Sequence, residues 1–294
     1  MSHPREFVLT LSCRDTTGIV YAVSGLLYQA GCNILDSQQF GDLGSADSTG
    51  LFFMRVHFEA PQRLAEAAAL DTLFAHARQQ FGMDAQIHSL ARKPRLLLMV
   101  SKFGHCLNDL MFRWQSGQLG VDIAGVVSNH HDFAELVAGF GVPFHHLPLD
   151  TGAAIGAKRA QEQQVEALVQ REQIDLVVLA RYMQILSAEF CTFLKGRAIN
   201  IHHSFLPSFK GAKPYFQAHG RGVKLIGATA HYVTAELDEG PIIEQDVARV
   251  EHSLSPEDFT QVGRDVESVV LARAVRWHVE HRVLLNGQKT VVFN

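Results

Sequence analysis

The sequence predicts an α/β protein of two domains, a small α+β domain followed by a doubly wound, mostly parallel sheet. The chain has 294 residues, and one hydrophobic core seldom grows beyond about 250 to 300 residues. A basic run that ends in proline, Ala91-Arg92-Lys93-Pro94, separates two sets of elements. Strands alternate with helices after it, which is typical of a parallel sheet. We expect a first domain over residues 1–90, a linker over 91–94 and a second domain over 95–294.

The first domain is predicted to follow the order strand, helix, strand, strand, helix, strand. Apolar residues recur in helical spacing over Gly18–Ala30, with Asp15 or Thr16 as the cap and Gly31 as the stop. The strands are predicted at residues 7–12, 33–40, 51–58 and 85–89, and the second helix at about 63–80. This order is that of a ferredoxin-like fold.

The second domain is predicted to alternate strands and helices. The helices are predicted at about residues 105–114, 133–139 and 157–173, and the strands at 95–101, 121–128, 175–180 and 200–202. In a doubly wound sheet, ligands bind outside the carboxyl ends of the strands, where the strand order reverses. We expect the end of the strand at 200–202 to be such a place.

Composition argues against several classes of partner. A formal charge of −4 and the lack of any Lys/Arg block argue against nucleic acid, because phosphate binding needs a basic surface. No apolar stretch is long enough to span a membrane, and the start of the chain lacks the apolar run of a signal peptide. The four cysteines are scattered without a Cys-x-x-Cys pair, which favours reduced thiols in a cytoplasmic protein.

A pair of polar side chains at the predicted strand end suits a carbonyl under attack. Asn200 and His202 alternate with Ile201, so both point to one face of the strand. A developing oxyanion can take a hydrogen bond from the Asn200 amide and a charge-assisted one from protonated His202. Asp238, in a turn before Gly240, is the carboxylate placed either to orient His202 or to take a proton from the attacking group.

These motifs resemble those of the enzymes that use 10-formyltetrahydrofolate, which share Asn-x-His at one strand end and a later Leu-Asp-x-Gly-Pro, here Leu237–Pro241. The resemblance implies that Asn200, His202 and Asp238 are catalytic. Residues 179–187 also resemble the family's pterin-binding segment. The resemblance therefore implies substrate contacts at Tyr182, Met183, Gln184, Leu186, His231, Thr234 and Gly240.

The first domain resembles ACT domains, which sense amino acids, through Asp15–Val20 and Gly31–Ile34. The resemblance implies an amino-acid effector, and pairing of such domains implies a homo-oligomer. Backbone amides at the helix start after Gly18 would face the effector's carboxylate, although Asp-x-x-Gly before a helix is also ordinary capping chemistry. The candidate effector residues are Asp15, Thr17, Gly18, Ile19 and Asn33.

Two departures indicate which acceptor takes the formyl group. Enzymes that formylate glycinamide ribonucleotide carry a glycine-rich phosphate loop after the first strand, but residues 101–110 hold bulky Phe103 and His105 there. The sequence also ends soon after residues 288–293, so we expect no extra C-terminal domain like that of the tRNA-formylating relatives. Through its ACT-like first domain, its formyl-transfer motifs and the segments Gly104–Leu107 and Arg282–Gly287, the whole chain resembles the formyltetrahydrofolate deformylases. This implies hydrolysis of 10-formyltetrahydrofolate to formate and tetrahydrofolate, without a cofactor, supplying formate for purine synthesis and balancing one-carbon folate pools.

Two other functions remain open: a formyltransferase with an unidentified amine acceptor, and an amino-acid sensor whose second domain only binds folate. The presence of Asn200, His202 and Asp238 argues against the sensor, since folate binding alone does not need these three polar residues. A metal site is not expected among the 16 histidines, because the adjacent pairs, such as His202-His203, should point to opposite faces of a strand. His203 stands where many transferases have proline. This difference would either help to exclude an amine or position water, or be a neutral substitution.

Overall fold

A computed structural model describes residues 5–149, 155–207 and 214–294 of the chain. They divide into two compact units, the described residues of Met1–Lys93 together with Glu280–Asn294, and those of Pro94–Val279. Within these described ranges, no helix is both long and apolar enough to cross a bilayer.

The first unit has the predicted order of elements. They are β1 (Arg5–Arg14), α1 (Ile19–Gln29), β2 (Asn33–Gly41), β3 (Leu51–Ala60), a short 3-10 helix (Gln62–Leu64), α2 (Ala67–Phe81) and β4 (Asp84–Ser89). The four strands pair antiparallel in the order β2-β3-β1-β4. Alternate residues of β1 point to one face of the sheet. They are buried there with the apolar face of α1, in a cluster that includes Phe7, Leu9, Leu11, Ile19, Val23 and Leu27.

The second unit is the predicted doubly wound, mostly parallel sheet. Its strands are β5 (Arg95–Val100), β6 (Asp122–Ser128), β7 (Phe144–His146), β8 (Leu176–Leu179), β9 (Ala198–His202), β10 (Leu225–Tyr232) and β11 (Ile242–Arg249). The helices are α3 (His105–Gln115), α4 (Ala134–Gly139), α5 (Ile155–Arg171), α6 (Ala188–Phe193), α7 (Pro214–Gly220) and α8 (Pro256–Val279). The strand order is β11-β10-β9-β8-β5-β6-β7. The pairs from β9 to β7 are parallel, whereas β9-β10 and β10-β11 are antiparallel.

The strand order reverses between β5 and β8, because the chain runs from β5 outward to β7 and then returns to the other side of β5. Loops that leave neighbouring strands in opposite directions open a crevice at such a point. The Ser101 hydroxyl links the loops at this edge of the sheet through two hydrogen bonds. It donates to Asn129 Oδ1 at 2.7 Å and accepts from the Met183 backbone N–H at 2.9 Å.

The C-terminal boundary differs from the predicted one, because residues 280–294 belong to the first unit and not to a domain over 95–294. They form a hairpin of β12 (Val283–Asn286) and β13 (Lys289–Val292). Phe53, on the opposite face of β3 from the main core, packs with three hairpin residues, Leu284, Val291 and Phe293. The buried Arg55 guanidinium also donates to the carbonyl oxygens of Glu280 and His281 at 3.0 and 3.1 Å. The second face of this sheet therefore needs the hairpin to become buried.

Candidate active site

A cavity of about 730 Å³ lies in the second unit at the carboxyl ends of β5, β8 and β9. It brings together the predicted catalytic residues Asn200, His202 and Asp238. Six of the predicted substrate-binding residues line it as well: Tyr182, Met183, Gln184, Leu186, His231 and Thr234. The seventh, Gly240, is not among the lining residues.

Asn200 is held by a histidine on the neighbouring strand. Strands β9 and β10 pair so that Asn200 lies opposite His231, with Asn200 Nδ2 3.2 Å from His231 Nε2. His231 Nδ1 lies 2.9 Å from the Tyr232 carbonyl oxygen, so Nδ1 carries the hydrogen and Nε2 accepts from the amide. An amide nitrogen has two hydrogens, and the second can be donated to a ligand in the cavity.

His202 is oriented by Asp238. His202 Nδ1 lies 3.1 Å from Asp238 Oδ1, and the ring is buried. Its other nitrogen, Nε2, is buried without a hydrogen-bond partner among the described residues. Because a carboxylate accepts and cannot donate, Nδ1 carries a hydrogen and Nε2 is the atom left for a ligand.

The Asp238 carboxylate is kept ionised by its surroundings. Burial raises its pKa, but the hydrogen bond and charge of the His202 imidazole outweigh burial and hold the pKa of Asp238 well below its usual range. Such a carboxylate is a fixed negative charge at neutral pH and a weak proton acceptor.

The Asp238 turn depends on a glycine that the cavity does not touch. Asp238 has φ of 58°, in the left-handed region that costs a non-glycine residue free energy. Two residues later, a Cβ on Gly240 would lie 1.7 Å from the Tyr232 carbonyl oxygen. Tyr232 N–H donates to the Pro241 carbonyl at 2.9 Å, which locks this close approach. Gly240 therefore lets the loop lie near enough for Asp238 to reach His202.

Residues 182–186 form a rigid wall with apolar side chains. The Tyr182 hydroxyl donates to Gln161 Oε1 at 3.2 Å, and the buried Glu162 carboxylate accepts from the Ser187 backbone N–H at 2.8 Å. Met183 and Ile185 remain 50% and 64% exposed, although both line the cavity. This arrangement offers a fixed apolar surface to a flat heterocycle.

The sequence analysis did not predict a buried cluster of charged side chains around Glu267, which lies beside Asn200, His202 and Asp238 on the same cavity. Glu267 on α8 is fully buried, and its carboxylate accepts from the Tyr215 hydroxyl at 2.6 Å. It also lies 2.8 Å from His105 Nε2 and 3.2 Å from Arg181 Nε. Burial raises the pKa of Glu267, but His105 and Arg181 outweigh it and lower the pKa overall. In the sequence, Glu267 could have been recognised as a carboxylate on the apolar face of α8, four residues after Gly263.

His202 and His203 lie on the same cavity, contrary to the expectation for adjacent strand residues. Their ring centroids are 5.1 Å apart, with 32° between the ring planes, and both rings line the cavity. The reason is that β9 ends at His202. The alternation of a pleated strand therefore does not govern His203.

His105, Cys106 and Glu267 are the one group of described residues whose ligand atoms are near enough to hold a metal, all within 4.8 Å of one another. Their chemistry does not suit one. Burial raises the pKa of the Cys106 thiol well above its ordinary value, and a neutral thiol is a poor ligand. Glu267 is already paired with His105 and Arg181, and the guanidinium would repel a cation.

The predicted effector residues lie in the first unit. Gly18 precedes α1 with φ of 99°, and Asp15 and Thr17 are exposed. Ile19 is buried in the core, and Asn33 Nδ2 donates to Glu59 Oε2 at 3.4 Å. Ile19 is therefore a packing residue, and effector binding stays a prediction.

Comparisons with known proteins identify relatives that match this chain over nearly its full length. The profile of the formyl transferase family matches residues 94–275. A formyltetrahydrofolate deformylase of Corynebacterium sp. (strain P-1) is 47% identical over 292 residues, 99% of this chain and 99% of that protein. The crystal structure of the Burkholderia mallei formyltetrahydrofolate deformylase is 52% identical with a TM-score of 0.91, covering 99% of this chain and 100% of that one. That of Pseudomonas syringae pv. tomato is 46% identical with a TM-score of 0.92, covering 100% and 96%.

Proposed function

The chain belongs to the formyltetrahydrofolate deformylase family, and we propose that it hydrolyses 10-formyltetrahydrofolate to formate and tetrahydrofolate. The observation that carries the mechanism is the placement of Asn200 and of the His202–Asp238 pair on one cavity. At about 730 Å³, the cavity has the size of a site for a drug-sized ligand. The product formate would supply purine synthesis and balance one-carbon folate pools.

Catalysis rests on donors aimed at the formyl oxygen. Asn200 has a second amide hydrogen, and protonated His202 has Nε2–H. Both donors would hold the oxyanion that forms when water attacks the formyl carbon. Asp238 lies against the Nδ1 side of His202, so the imidazolium is matched by a carboxylate at 3.1 Å. The donors are held by the protein before substrate binds, so little reorganisation is needed during the reaction.

The reaction then divides into addition and collapse. The water oxygen bonds to the formyl carbon and loses one proton, and the carbonyl electron pair moves to the oxyanion. Collapse restores the carbonyl and breaks the carbon–nitrogen bond, and the tetrahydrofolate nitrogen takes a proton as it leaves. Formic acid loses its remaining acidic proton to water and is released as formate.

The loop after β5 supports water as the acceptor. Phe103 occupies the place of the transferases' phosphate loop, and the guanidinium carbons of Arg181 and Arg264 lie 5.6 and 5.4 Å from its ring centroid. His105, the first residue of α3, is paired with the buried Glu267. A bulky side chain packed against two guanidinium groups stands where a phosphate loop would have small glycines that let backbone amides approach a nucleotide phosphate.

The test is a time course of formate and tetrahydrofolate release from 10-formyltetrahydrofolate with no amine present. We expect both products in equal amounts from the wild type and strongly reduced release from Asp238→Asn. If the wild type binds the folate but releases neither product, the hydrolase proposal is wrong. Release that begins only when an amine is added would favour a formyltransferase.

We further propose that the reaction needs no metal and no cofactor, because the described His105–Cys106–Glu267 group does not suit a cation. Dialysis against a chelator should leave the rate unchanged, and restoration of a lost rate by a divalent metal would contradict this.

The four free thiols support a cytoplasmic location. Binding of an amino acid by the first unit and assembly into a homo-oligomer stay predictions, which calorimetry and light scattering would test.

A further inference from the structure

His203 is the cavity residue to which the proposed mechanism gives no role. It is half-buried, directly follows β9, and its ring lies 5.1 Å from that of His202 by centroids. Its ring also contacts that of Tyr215 of α7, with ring centroids 6.3 Å apart and the planes at 60°. His203 thus adjoins both His202 and the charge cluster around Glu267.

Burial and the neighbouring charge of Arg181 keep the imidazole of His203 neutral. Burial is the main cause and the positive charge of Arg181 the second, and together they lower the pKa of His203 to about 4. His202 acts in the same direction, whereas the carboxylates of Glu267 and Asp238 act against it. Tyr215 cannot supply a charge, since burial and Glu267 raise the pKa of its hydroxyl far above the ordinary value. A neutral imidazole has one nitrogen that accepts a proton.

The other polar groups of the cavity are poorly suited to take the proton of the attacking water. Asp238 Oδ1 is engaged with His202 Nδ1. His202 Nε2 cannot accept a proton while it donates one to the oxyanion. Glu267 is occupied by Tyr215, His105 and Arg181.

We propose that His203 is a catalytic residue that accepts the hydrogen bond, and then the proton, of the water that attacks the formyl carbon. This rests on the proposed hydrolysis. The water oxygen bonds to carbon while its proton moves to the free imidazole nitrogen of His203. On collapse, the imidazolium returns that proton to the tetrahydrofolate nitrogen as the carbon–nitrogen bond breaks. His203 thus ends neutral, and Asn200 and His202 hold the oxyanion throughout.

Glu267 acts as a positioning group in this arrangement. It holds Arg181 by an ion pair and Tyr215 by a hydrogen bond, and both of these residues face His203. The backbone of Arg181 has φ of 66°, a left-handed conformation that surrounding contacts must maintain. A Cβ on Gly263 would lie 2.1 Å from Tyr215 Cζ, so the glycine makes room for the phenol ring.

The experiment compares the full-length wild type with His203→Ala and His203→Gln, with exposed His252→Ala as the control. Release of formate and tetrahydrofolate gives kcat and KM, and calorimetry with tetrahydrofolate reports binding. We expect kcat to fall about 100-fold or more in both His203 variants, as for loss of a general base, with tetrahydrofolate affinity within about threefold. Added imidazole should restore part of the rate of His203→Ala and none of that of His203→Gln, whose side chain fills the space.

Several results would overturn the proposal. An unchanged kcat in both variants would remove His203 from the chemistry while leaving the hydrolase function intact. A raised KM with unchanged kcat would make it a substrate contact. Undiminished hydrolysis with new formyl transfer to added glycinamide would make His203 a steric barrier to amines. If the wild type released no formate, the proposed function would fail and this assignment with it.

Discussion

His202 Nδ1 lies 3.1 Å from Asp238 Oδ1, although His202 ends β9 and Asp238 lies in the turn between β10 and β11. The contact fixes the imidazole so that Nε2 is the nitrogen left for a ligand. It also places a lasting negative charge behind the imidazolium, since the pKa of Asp238 is held well below its usual range. The pair therefore behaves as an oriented, charge-balanced donor.

Asp238→Asn should lower kcat by up to about 10,000-fold, the loss expected when the carboxylate that orients a catalytic histidine becomes an amide. The amide removes the charge behind the imidazolium and, by donating, can turn His202 to the wrong tautomer. Initial rates and tetrahydrofolate affinity would be measured beside exposed Asp265→Asn. A variant with wild-type kcat but weakened folate binding would contradict this role.

Asn200→Ala should lower kcat by about 100- to 1000-fold, the effect of removing one oxyanion donor. The free energy of unfolding should change much less, because the alanine removes one hydrogen bond to His231. Single-turnover rates and urea unfolding separate the two effects. Equal losses of activity and folded fraction would show a structural role instead.

Gly240→Ala should destroy the alignment of Asp238, because the new Cβ would lie 1.7 Å from the Tyr232 carbonyl oxygen. Neither backbone segment can yield without breaking the hydrogen bond from Tyr232 to Pro241. We expect loss of activity together with a lower unfolding temperature. Gly120→Ala is the matched control, since a Cβ there meets nothing within 4 Å. Wild-type activity in Gly240→Ala would refute the close approach.

Because His203 is buried as a neutral imidazole, the free energy of unfolding should be lower in mild acid than at neutral pH. The pKa of His203 falls from an ordinary value of 6.5 to about 4 on folding, so between these values the unfolded chain binds the proton and the folded chain does not. Stability is then lost as pH falls from about 6.5 to about 4. Because one pKa unit corresponds to about 1.4 kcal/mol, His203 contributes about 2 kcal/mol to the difference between pH 7.5 and pH 5. Urea unfolding at both pH values should show a smaller difference in His203→Gln, but not in exposed His252→Gln. An equal difference in all three proteins would exclude a depressed His203 pKa.

Glu267→Gln should destabilise the fold by about 3 kcal/mol, as when one partner of a buried ion pair is removed. The variant leaves the buried Arg181 guanidinium without its carboxylate. Urea unfolding measures the change, with exposed Glu257→Gln on the same helix as the control. A change as small in Glu267→Gln as in the control would show that the pairing contributes nothing to stability.

Local periodicity predicted the elements well, because burial of one face requires it. The helix expected over Gly18–Ala30 is observed as Ile19–Gln29, with Ile19, Val23 and Leu27 buried. The C-terminal hairpin was assigned to the wrong domain, since its burial depends on the far face of β3 and not on its own pattern. Glu267 was missed for a similar reason: 162 residues separate it from His105 and 52 from Tyr215.

The sequence by itself determined the two-part α/β architecture, the family resemblance and the trio of Asn200, His202 and Asp238. Spacing along the chain carries this information, because strand and helix periods and short motifs are local. Only the tertiary structure decided that Asp238 pairs with His202 Nδ1, that His203 turns into the same cavity, and that Arg181 helps to keep it neutral. These properties depend on burial and on charges that the fold brings together from distant parts of the chain.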